Sequence, residues 1–439
     1  MPKPLTDRDS YLAQFTAFVE ESPSSYHAVE AAAQRLRAAG FEELDERAAW
    51  PALRPGGGGF VRRDGAIIAW RAGSGVDALS PVRVIGCHTD SPGFTLKPQP
   101  DFSAEGWAQA AVEVYGGPLL NSWLDRDLAF AGRIVTREGA EHLVRTRAVA
   151  RIPQLAIHLD REANEGLRLD RQRHTQPVIG VAEGSVLGLL AEAAGVPESE
   201  IAGADVRLAD TQAPARLGTR GELYASPRLD NLSSVFAGLL ALLEAEPAPG
   251  TVAMLAAFDH EELGSASRSG ASGPMLEEVL ARLRDGLGAS AEEAARALGG
   301  SWCLSADAGH AVHPNYPEKH DPRVRPIAGG GPMLKVNANQ RYASDAHGSA
   351  LWSRCCESAG VEAQVFVSNN TMPCGSTIGP LTATRLGIRT VDVGVPLLSM
   401  HSARELAHVD DLHGLACVIA SYFSDGEGRS DLPEGVRVD

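Results

Sequence analysis

Two adjacent carboxylates stand directly after an apolar run of the chain. The run T-V-A-M-L-A-A-F (251–258) is followed by Asp259, His260, Glu261 and Glu262. Burying like charges at a strand end costs several kcal/mol, roughly, unless water, basic side chains or metal ions neutralise them. The pair could also be the solvated first turn of a helix. This stretch is therefore the first candidate for chemistry or ion binding.

Other polar residues follow other apolar runs. His88, Thr89 and Asp90 follow P-V-R-V-I-G-C (81–87), Asp307 and His310 follow W-C-L-S-A (302–306), His401 lies beyond a later run, and Asp230 opens a helix near 229. Strands of an open α/β sheet place their carboxyl ends at one edge, so we expect these side chains to lie together. A lone Asp there would be a helix cap and a lone His a loop residue, but independent caps and turns would not be expected to gather this mixture.

The mixture indicates which ions could bind. Imidazole nitrogens and carboxylates without thiolates suit Zn, with Co or Mn as alternatives. Five ligand candidates exceed the three protein ligands of one catalytic zinc, and they fit two ions ~3.5–4 Å apart with a shared carboxylate. One Glu of the pair would neutralise its charge on a metal, while the other would stay unligated and take a proton from metal-bound water. The sequence therefore predicts two divalent ions, with zinc preferred.

The surrounding patterns predict the elements that position these residues. Residues 24–39 form an amphipathic pattern that ends before Gly40, typical of a helix with a left-handed cap. Short alternating segments between about 94 and 160 indicate antiparallel strands and hairpins. From 228 onward, apolar strands alternate with helices, which favours a mostly parallel sheet covered on both faces.

Because α/β texture flanks a β-rich middle, we predict an insertion. A discontinuous α/β domain would comprise residues 1–92 and 223–439, and a β-rich domain would occupy 93–222.

The net charge of −16 over 439 residues disfavours nucleic acid and anionic membranes as partners. No apolar run approaches the ~18 residues of a membrane span, the N-terminus lacks a signal-like apolar core, and six cysteines without CxxC spacing suit buried thiols. We therefore expect a cytoplasmic protein.

Seven motifs in order resemble the aspartyl aminopeptidases, cytosolic metallo-exopeptidases that remove N-terminal Asp or Glu. They are H-T-D-S-P (88–92), S-P-R-L-D-N-L (226–232), F-D-H-E-E-L-G-S (258–265), S-A-D-A-G-H-A-V-H-P-N (305–315), K-V-N-A-N-Q-R-Y-A-S (335–344), C-G-S-T-I-G-P (374–380) and S-M-H-S-A-R-E (399–405). The resemblance runs from about 22 to 420, with little to match between about 163 and 215. It implies a zinc-exopeptidase-like α/β fold whose inserted β-rich domain serves dimerisation.

The resemblance also implies roles for the site residues. It assigns His88 and Asp307 to one ion, Glu262 and His401 to the other, and Asp230 to a bridging position between them. Glu261 would be the general base and acid that activates the attacking water. Asp90 would orient and polarise the site from behind the ligands.

Further implied roles concern substrate and assembly. Lys335, His310 and Tyr342 would line the substrate pocket, where Lys335 would pair with the acidic first side chain. His158 would reach the active site of a neighbouring subunit in a tetrahedral assembly of twelve. The simpler alternatives are a solvated Lys335 and a His158 that belongs to an ordinary sheet.

Two other functions fit parts of this pattern. A deacylase or amidase acting on small N-acyl compounds would use the same two metals for a different reaction. A self-assembling scaffold with a relict site would need no catalysis, although the intact Glu261 argues against it.

Overall fold

The computed structural model describes residues 5–425, which contain two large sheets and their helices. The α-helices of this region are α1 (Arg8–Glu21), α2 (Ser25–Ala38), α3 (Val186–Ala194), α4 (Leu229–Glu244), α5 (Met275–Gly286), α6 (Ala291–Gly299), α7 (Ala346–Ala359), α8 (Ile378–Leu386) and α9 (Val409–Ser424). Within the described chain, no helix combines the length and the apolar character that crossing a bilayer requires.

The strands of the described chain range from two to twelve residues in length. They are β1 (Glu42–Glu43), β2 (Gly58–Arg63), β3 (Ala66–Ala72), β4 (Val82–His88), β5 (Gly93–Ala104), β6 (Trp107–Tyr115), β7 (Leu128–Thr136), β8 (Glu141–Arg145), β9 (Val178–Val181), β10 (Ile201–Asp210), β11 (Ala215–Leu217), β12 (Leu223–Ser226), β13 (Val252–Phe258), β14 (Trp302–Ala306), β15 (Gly309–His310), β16 (Met333–Lys335), β17 (Gln364–Phe366), β18 (Arg389–Gly394), β19 (Pro396–Leu397) and β20 (Glu405–His408).

The main sheet has nine strands in the order β1-β2-β3-β13-β4-β14-β18-β16-β17. Its central strands β13, β4, β14 and β18 pair in parallel, while β3 and β16 join them antiparallel. Apolar clusters cover both faces: one includes side chains of α1, α2, α4, α7 and α9, and the other includes side chains of α5. Strands buried on both faces explain the nearly continuous apolar runs in the sequence. The predicted α/β class with flanking helices is confirmed.

A second, antiparallel sheet has six strands in the order β8-β7-β10-β5-β6-β9. All of them fall between Gly93 and Asp210, and they enclose an apolar cluster of their own. This arrangement supports an inserted β-rich domain that begins near 93, as the sequence predicts. The following strand β11 pairs with β12, which in turn pairs with β20. We therefore propose that the insertion ends soon after β10, somewhat before residue 222.

Local signals explain where individual helices begin and end. The Asp345 side chain accepts a hydrogen bond from the Gly348 N–H at the start of α7, and Gly360 ends that helix with φ +64°. The predicted helix at 24–39 forms as α2, with Ser24 as its N-cap and Gly40 at φ +84° just beyond its end. Glycine tolerates this left-handed conformation without the steric cost that a β-carbon would add.

Candidate metal centre

Strand register brings the predicted ligands to one edge of the main sheet. Phe258, the last residue of β13, pairs with His88, the last residue of β4. In the next strand Ser305 pairs with Gly86, which places Asp307 level with His88. Because these strands are parallel, the residues that follow them share the carboxyl edge of the sheet.

Asp230 and His401 reach the same edge from outside these strands. Asp230 lies in the first turn of α4, where φ −82° and ψ +101° depart from helical geometry, and the helix has no side-chain cap. The Asp230 carboxylate is therefore directed into the cluster instead of capping the helix. His401 has φ +65° in the turn between β19 and β20.

Asp230 lies between two groups of potential ligands. His88 Nε2 is 3.2 Å from Asp230 Oδ1 and 3.4 Å from Asp307 Oδ1. On the other side, His401 Nε2 is 3.3 Å from Asp230 Oδ2 and 3.6 Å from Glu262 Oε2. The two oxygens of one carboxylate thus face two different histidines. This is the arrangement that a bridging ligand needs between two metal ions.

The chemistry of the cluster fits divalent metal ions. Ligand atoms lie within 4.8 Å of one another in each of two triads that share Asp230, namely His88–Asp230–Asp307 and Asp230–Glu262–His401. Glu262 Oε1 is buried and has no hydrogen-bond donor within the described chain. Buried carboxylate oxygens without a donor are costly, and coordination to a cation would offset that cost. Nitrogen and oxygen donors of this kind suit zinc.

Both histidines have their second ring nitrogen occupied. His88 Nδ1 lies 3.0 Å from the carbonyl oxygen of Asp90, and His401 Nδ1 lies 3.1 Å from that of Gly117. A carbonyl oxygen can only accept, so each Nδ1 carries the proton. In the neutral imidazole, Nε2 is therefore the nitrogen left to bind a metal ion, and in both histidines it faces the carboxylates.

Burial and close spacing shift the pKa values of the cluster's ionisable side chains. In the metal-free chain, burial opposes the charged form of His88, but hydrogen bonds to Asp230 and Asp307 raise its pKa well above the ordinary value. Burial likewise raises the pKa of Glu262 strongly, with repulsion from Asp230 adding to the effect. The pKa of Glu261 rises to about 7, mainly through burial. This crowding of carboxylates is what bound cations would relieve.

Two further buried carboxylates hold the ligand-bearing segments. Asp90 accepts backbone hydrogen bonds from the N–H groups of Glu261 (3.0 Å) and Glu262 (3.2 Å). Glu405 accepts them from Asp230 (3.0 Å) and His401 (2.7 Å). Asp90 was singled out from the sequence, whereas Glu405 was not, although it closes the motif S-M-H-S-A-R-E. Glu405 binds backbone N–H groups, and such a carboxylate has no partner side chain whose spacing in the sequence would identify it.

Of the remaining residues of the opening stretch, Asp259 and His260 belong to none of the potential ligand triads of the described chain, whereas Glu261 does. Asp259 is fully buried, and its N–H donates to the carbonyl oxygen of Ser269. His260 Nδ1 is 2.9 Å from Ser267 Oγ. Glu261 is only partly buried and belongs to a third potential triad with His88 and Glu262.

The predicted substrate residues lie beside the cluster. Lys335, at the end of β16, is buried; its ammonium donates to the carbonyl oxygen of Ala308 (2.7 Å) and lies 3.6 Å from Asp307 Oδ2. Its Nζ is also 5.4 Å from the centroid of the Tyr342 ring. The His310 ring packs edge-on against Phe366, with 6.3 Å between centroids. Lys335 is therefore a buried cation, and the alternative of a solvated surface lysine is wrong.

His158 lies elsewhere. It occupies an exposed turn after β8 and belongs to none of the metal triads, so the alternative of an ordinary sheet histidine is wrong. The neighbouring side chains Leu155, Ile157 and Leu159 are 57%, 47% and 75% exposed. An apolar turn this exposed is typical of a surface that contacts another protein.

The α/β fold and the histidine–carboxylate cluster together define a metal-dependent hydrolase. A family model described as "Aminopeptidase I zinc metalloprotease (M18)" matches residues 18–423. The probable M18 family aminopeptidase 2 of Streptomyces avermitilis is 51% identical over 432 residues, covering 96% of this chain and 100% of the relative.

Solved structures of related proteins are also similar to this chain. A chain from the cryo-EM structure of the Ape4 and Nbr1 complex matches with a TM-score of 0.91 and 35% identity, covering 96% of this chain and 87% of that chain. A chain of the Saccharomyces cerevisiae mApe1 dodecamer matches with a TM-score of 0.81 and 29% identity, covering 95% of this chain and 96% of that chain. The chain therefore belongs to the M18 family of zinc metalloproteases and is an aminopeptidase of that family. This membership favours peptide substrates over the small N-acyl compounds of a deacylase.

Proposed function

We propose that this M18 aminopeptidase removes Asp or Glu from the N-termini of peptides. The observation that carries the proposal is the buried ammonium of Lys335, 3.6 Å from a carboxylate of the candidate metal centre. A buried cation beside the reacting groups provides a partner for an acidic side chain, which the net charge of −16 would otherwise repel. His310 and Tyr342 would complete the pocket.

The site residues would divide the work as follows. Two divalent ions, zinc by preference, would be held by His88 and Asp307, by Glu262 and His401, and by Asp230 between them. When bound, the ions would polarise the first peptide carbonyl and acidify the attacking water. Glu261 takes the proton from that water and passes it to the leaving amine. Asp90 fixes the backbone of the two glutamates, and the cluster carboxylates hold the free substrate amine.

His158 would act from a neighbouring subunit. The related mApe1 of Saccharomyces cerevisiae is a dodecamer, and the exposed apolar side chains around His158 suit a subunit contact. We propose that twelve chains assemble as a tetrahedron and that His158 of one chain stabilises the developing oxyanion in the next. The cytoplasmic location stays a prediction from the sequence.

Specificity can be tested through Lys335. Turnover of Asp-, Glu- and Leu-anilides, compared with N-acetyl amino acids, establishes the reaction and its preference. We expect Lys335→Met to lower kcat/KM for the Asp substrate at least about tenfold more than for the Leu substrate, since only the acidic side chain loses its partner. The ratio between substrates cancels any loss of metal, because both use the same centre.

Lys319→Met provides the matched control, since Lys319 is exposed on the 312–321 loop. It removes the same charge without touching the pocket and should leave the Asp/Leu ratio unchanged. An equal decrease for all substrates in Lys335→Met would assign Lys335 to support of Asp307 and would remove it from substrate recognition. Cleavage of N-acetyl amino acids without cleavage of anilides would overturn the peptidase proposal.

A further inference from the structure

One short stretch that continues from the second sheet's strand β6, residues 115–122, contacts the candidate metal centre of its own chain, and we call it the 115–122 segment. It begins at the end of β6 and contains Tyr115, Gly116, Gly117 and Ser122. The segment meets the site at three separate places.

The first contact is a side-chain hydrogen bond across the two sheets. The Tyr115 hydroxyl donates to Asp90 Oδ2 at 2.7 Å, and both residues are buried. Asp90 in turn accepts the backbone N–H groups of Glu261 and Glu262. The guanidinium carbon of Arg207, on β10 of the second sheet, lies 3.4 Å from the centroid of the Tyr115 ring and holds the ring in place.

The second contact is made by glycine backbone. Gly116 has φ +67°, and a β-carbon there would lie 3.1 Å from Glu262 Cβ and 3.2 Å from the Glu262 carbonyl oxygen. The close approach therefore requires both a left-handed conformation and no side chain. Gly116 places the segment directly against a proposed metal ligand.

The third contact orients the other side of the centre. The Gly117 carbonyl accepts the Nδ1–H of His401, and the Leu119 N–H donates to the His401 carbonyl oxygen at 2.9 Å. Ser122 Oγ accepts the Ala403 N–H at 2.9 Å. The segment thus constrains both the ring and the backbone of His401.

We propose that the 115–122 segment positions the metal ligands of its own chain, with Tyr115 as the principal positioning residue. The second sheet is then part of the catalytic unit and not only an assembly surface. The inference rests on the proposed ligand roles. It adds a dependence of metal affinity on residues outside the main sheet, through the hydroxyl that fixes Asp90 and the carbonyl that fixes His401.

Zinc affinity of the full-length protein, measured by competition with a chromophoric chelator, tests the proposal. We expect Tyr115→Phe to weaken zinc binding about 10–100-fold and to lower kcat more than it changes KM. Tyr422→Phe is the matched control: it also removes a buried hydroxyl, which donates to the Trp302 carbonyl at 2.9 Å, but at the amino end of β14, away from the site. The control should bind zinc as wild type does.

A glycine pair gives an independent measurement. Gly116 and Gly139 both have positive φ, but a β-carbon at Gly139 would meet no atom of residues 5–425 within 4 Å. Both Gly→Ala variants introduce backbone strain, and only Gly116→Ala should lower zinc affinity. Zinc binding by Tyr115→Phe and Gly116→Ala equal to that of their controls would overturn the proposal while leaving the proposed function intact. Absence of zinc binding by the wild-type chain would instead overturn the proposed function.

Discussion

Two neighbouring glutamates occupy different environments at the metal centre. Glu262 has an almost fully buried side chain, one oxygen 3.6 Å from His401 Nε2 and the other without a donor. Glu261, the adjacent residue, is partly buried, and burial raises the pKa of its carboxyl to about 7. A ligand must face the ions and give up its water, whereas a proton carrier must reach both the attacking water and the leaving group. A carboxyl that titrates near neutrality can both accept and return a proton, so these environments support the proposed division between the two.

Glu261→Gln should keep bound metal and fold while losing about 10²–10⁴-fold in kcat, because an amide cannot accept the proton of the attacking water. Metal content by elemental analysis and steady-state kinetics are the two measurements. Glu262→Gln is the comparison, one residue away: it should lose metal. Loss of metal from Glu261→Gln, with retention in Glu262→Gln, would exchange the two roles.

At the same scale, the sequence predicts the cluster better than its supports. His88 and Asp307 can be predicted from the sequence because each directly follows an apolar run. The parallel register of the two strands then places them side by side. Tyr115 and Glu405 were not identified, since their partners are groups distant in the chain and their own neighbourhoods carry no periodic signal. The sequence also does not predict the non-helical turn at Asp230, because an apolar helical pattern continues through it.

Among the elements, α2 carries a histidine that folding forces to remain neutral. His27 lies near the start of this helix, with its Nδ1 2.8 Å from Ser24 Oγ. Burial, followed by the charges of Arg145 and Arg228, lowers its pKa from 6.5 to about 4. The unfolded chain therefore binds a proton below pH 6.5 that the folded chain does not bind until about pH 4. Folding stability is complete above pH 6.5 and decreases as the pH falls between these values.

Replacing His27 should remove that pH dependence. Over the full interval the shift corresponds to about 3 kcal/mol of unfolding free energy. The urea midpoint of wild type should decrease more between pH 7 and pH 4.5 than that of His27→Gln. His347→Gln, at an exposed position on α7, should behave as wild type does. If the urea midpoints of wild type and His27→Gln change equally with pH, His27 is protonated to the same extent in the folded and the unfolded chain.

At the scale of the whole molecule, the proposed site draws on two chains. The metal ligands and Glu261 come from one chain, and His158 would come from its neighbour. Activity should then depend on assembly even though each chain carries a complete ligand set. A donor near the developing oxyanion contributes ~3–4 kcal/mol to the transition state, so loss of His158 should nearly abolish turnover.

Mixing two inactive variants tests this arrangement. Glu261→Gln and His158→Ala chains should each be nearly inactive alone. In co-refolded, randomly mixed assemblies, about a quarter of the sites would combine an intact Glu261 with a neighbour's intact His158, and activity should return in that proportion. Glu261→Gln mixed with Glu262→Gln is the negative control, since both changes damage the same chain's site. Confirmed mixed assemblies without activity would place His158 in its own chain's chemistry or in none.

The order of strands in the main sheet has a consequence for biosynthesis. β4, which carries His88, lies between β13 and β14, so its neighbours are translated more than 160 residues after it. The proposed ligand set spans His88 to His401, and no shorter stretch contains it. A chain still emerging from the ribosome has neither a finished sheet nor a metal centre until almost the whole protein has been made. Contacts this distant in sequence also slow folding. Aminopeptidase activity would therefore be absent from a nascent chain.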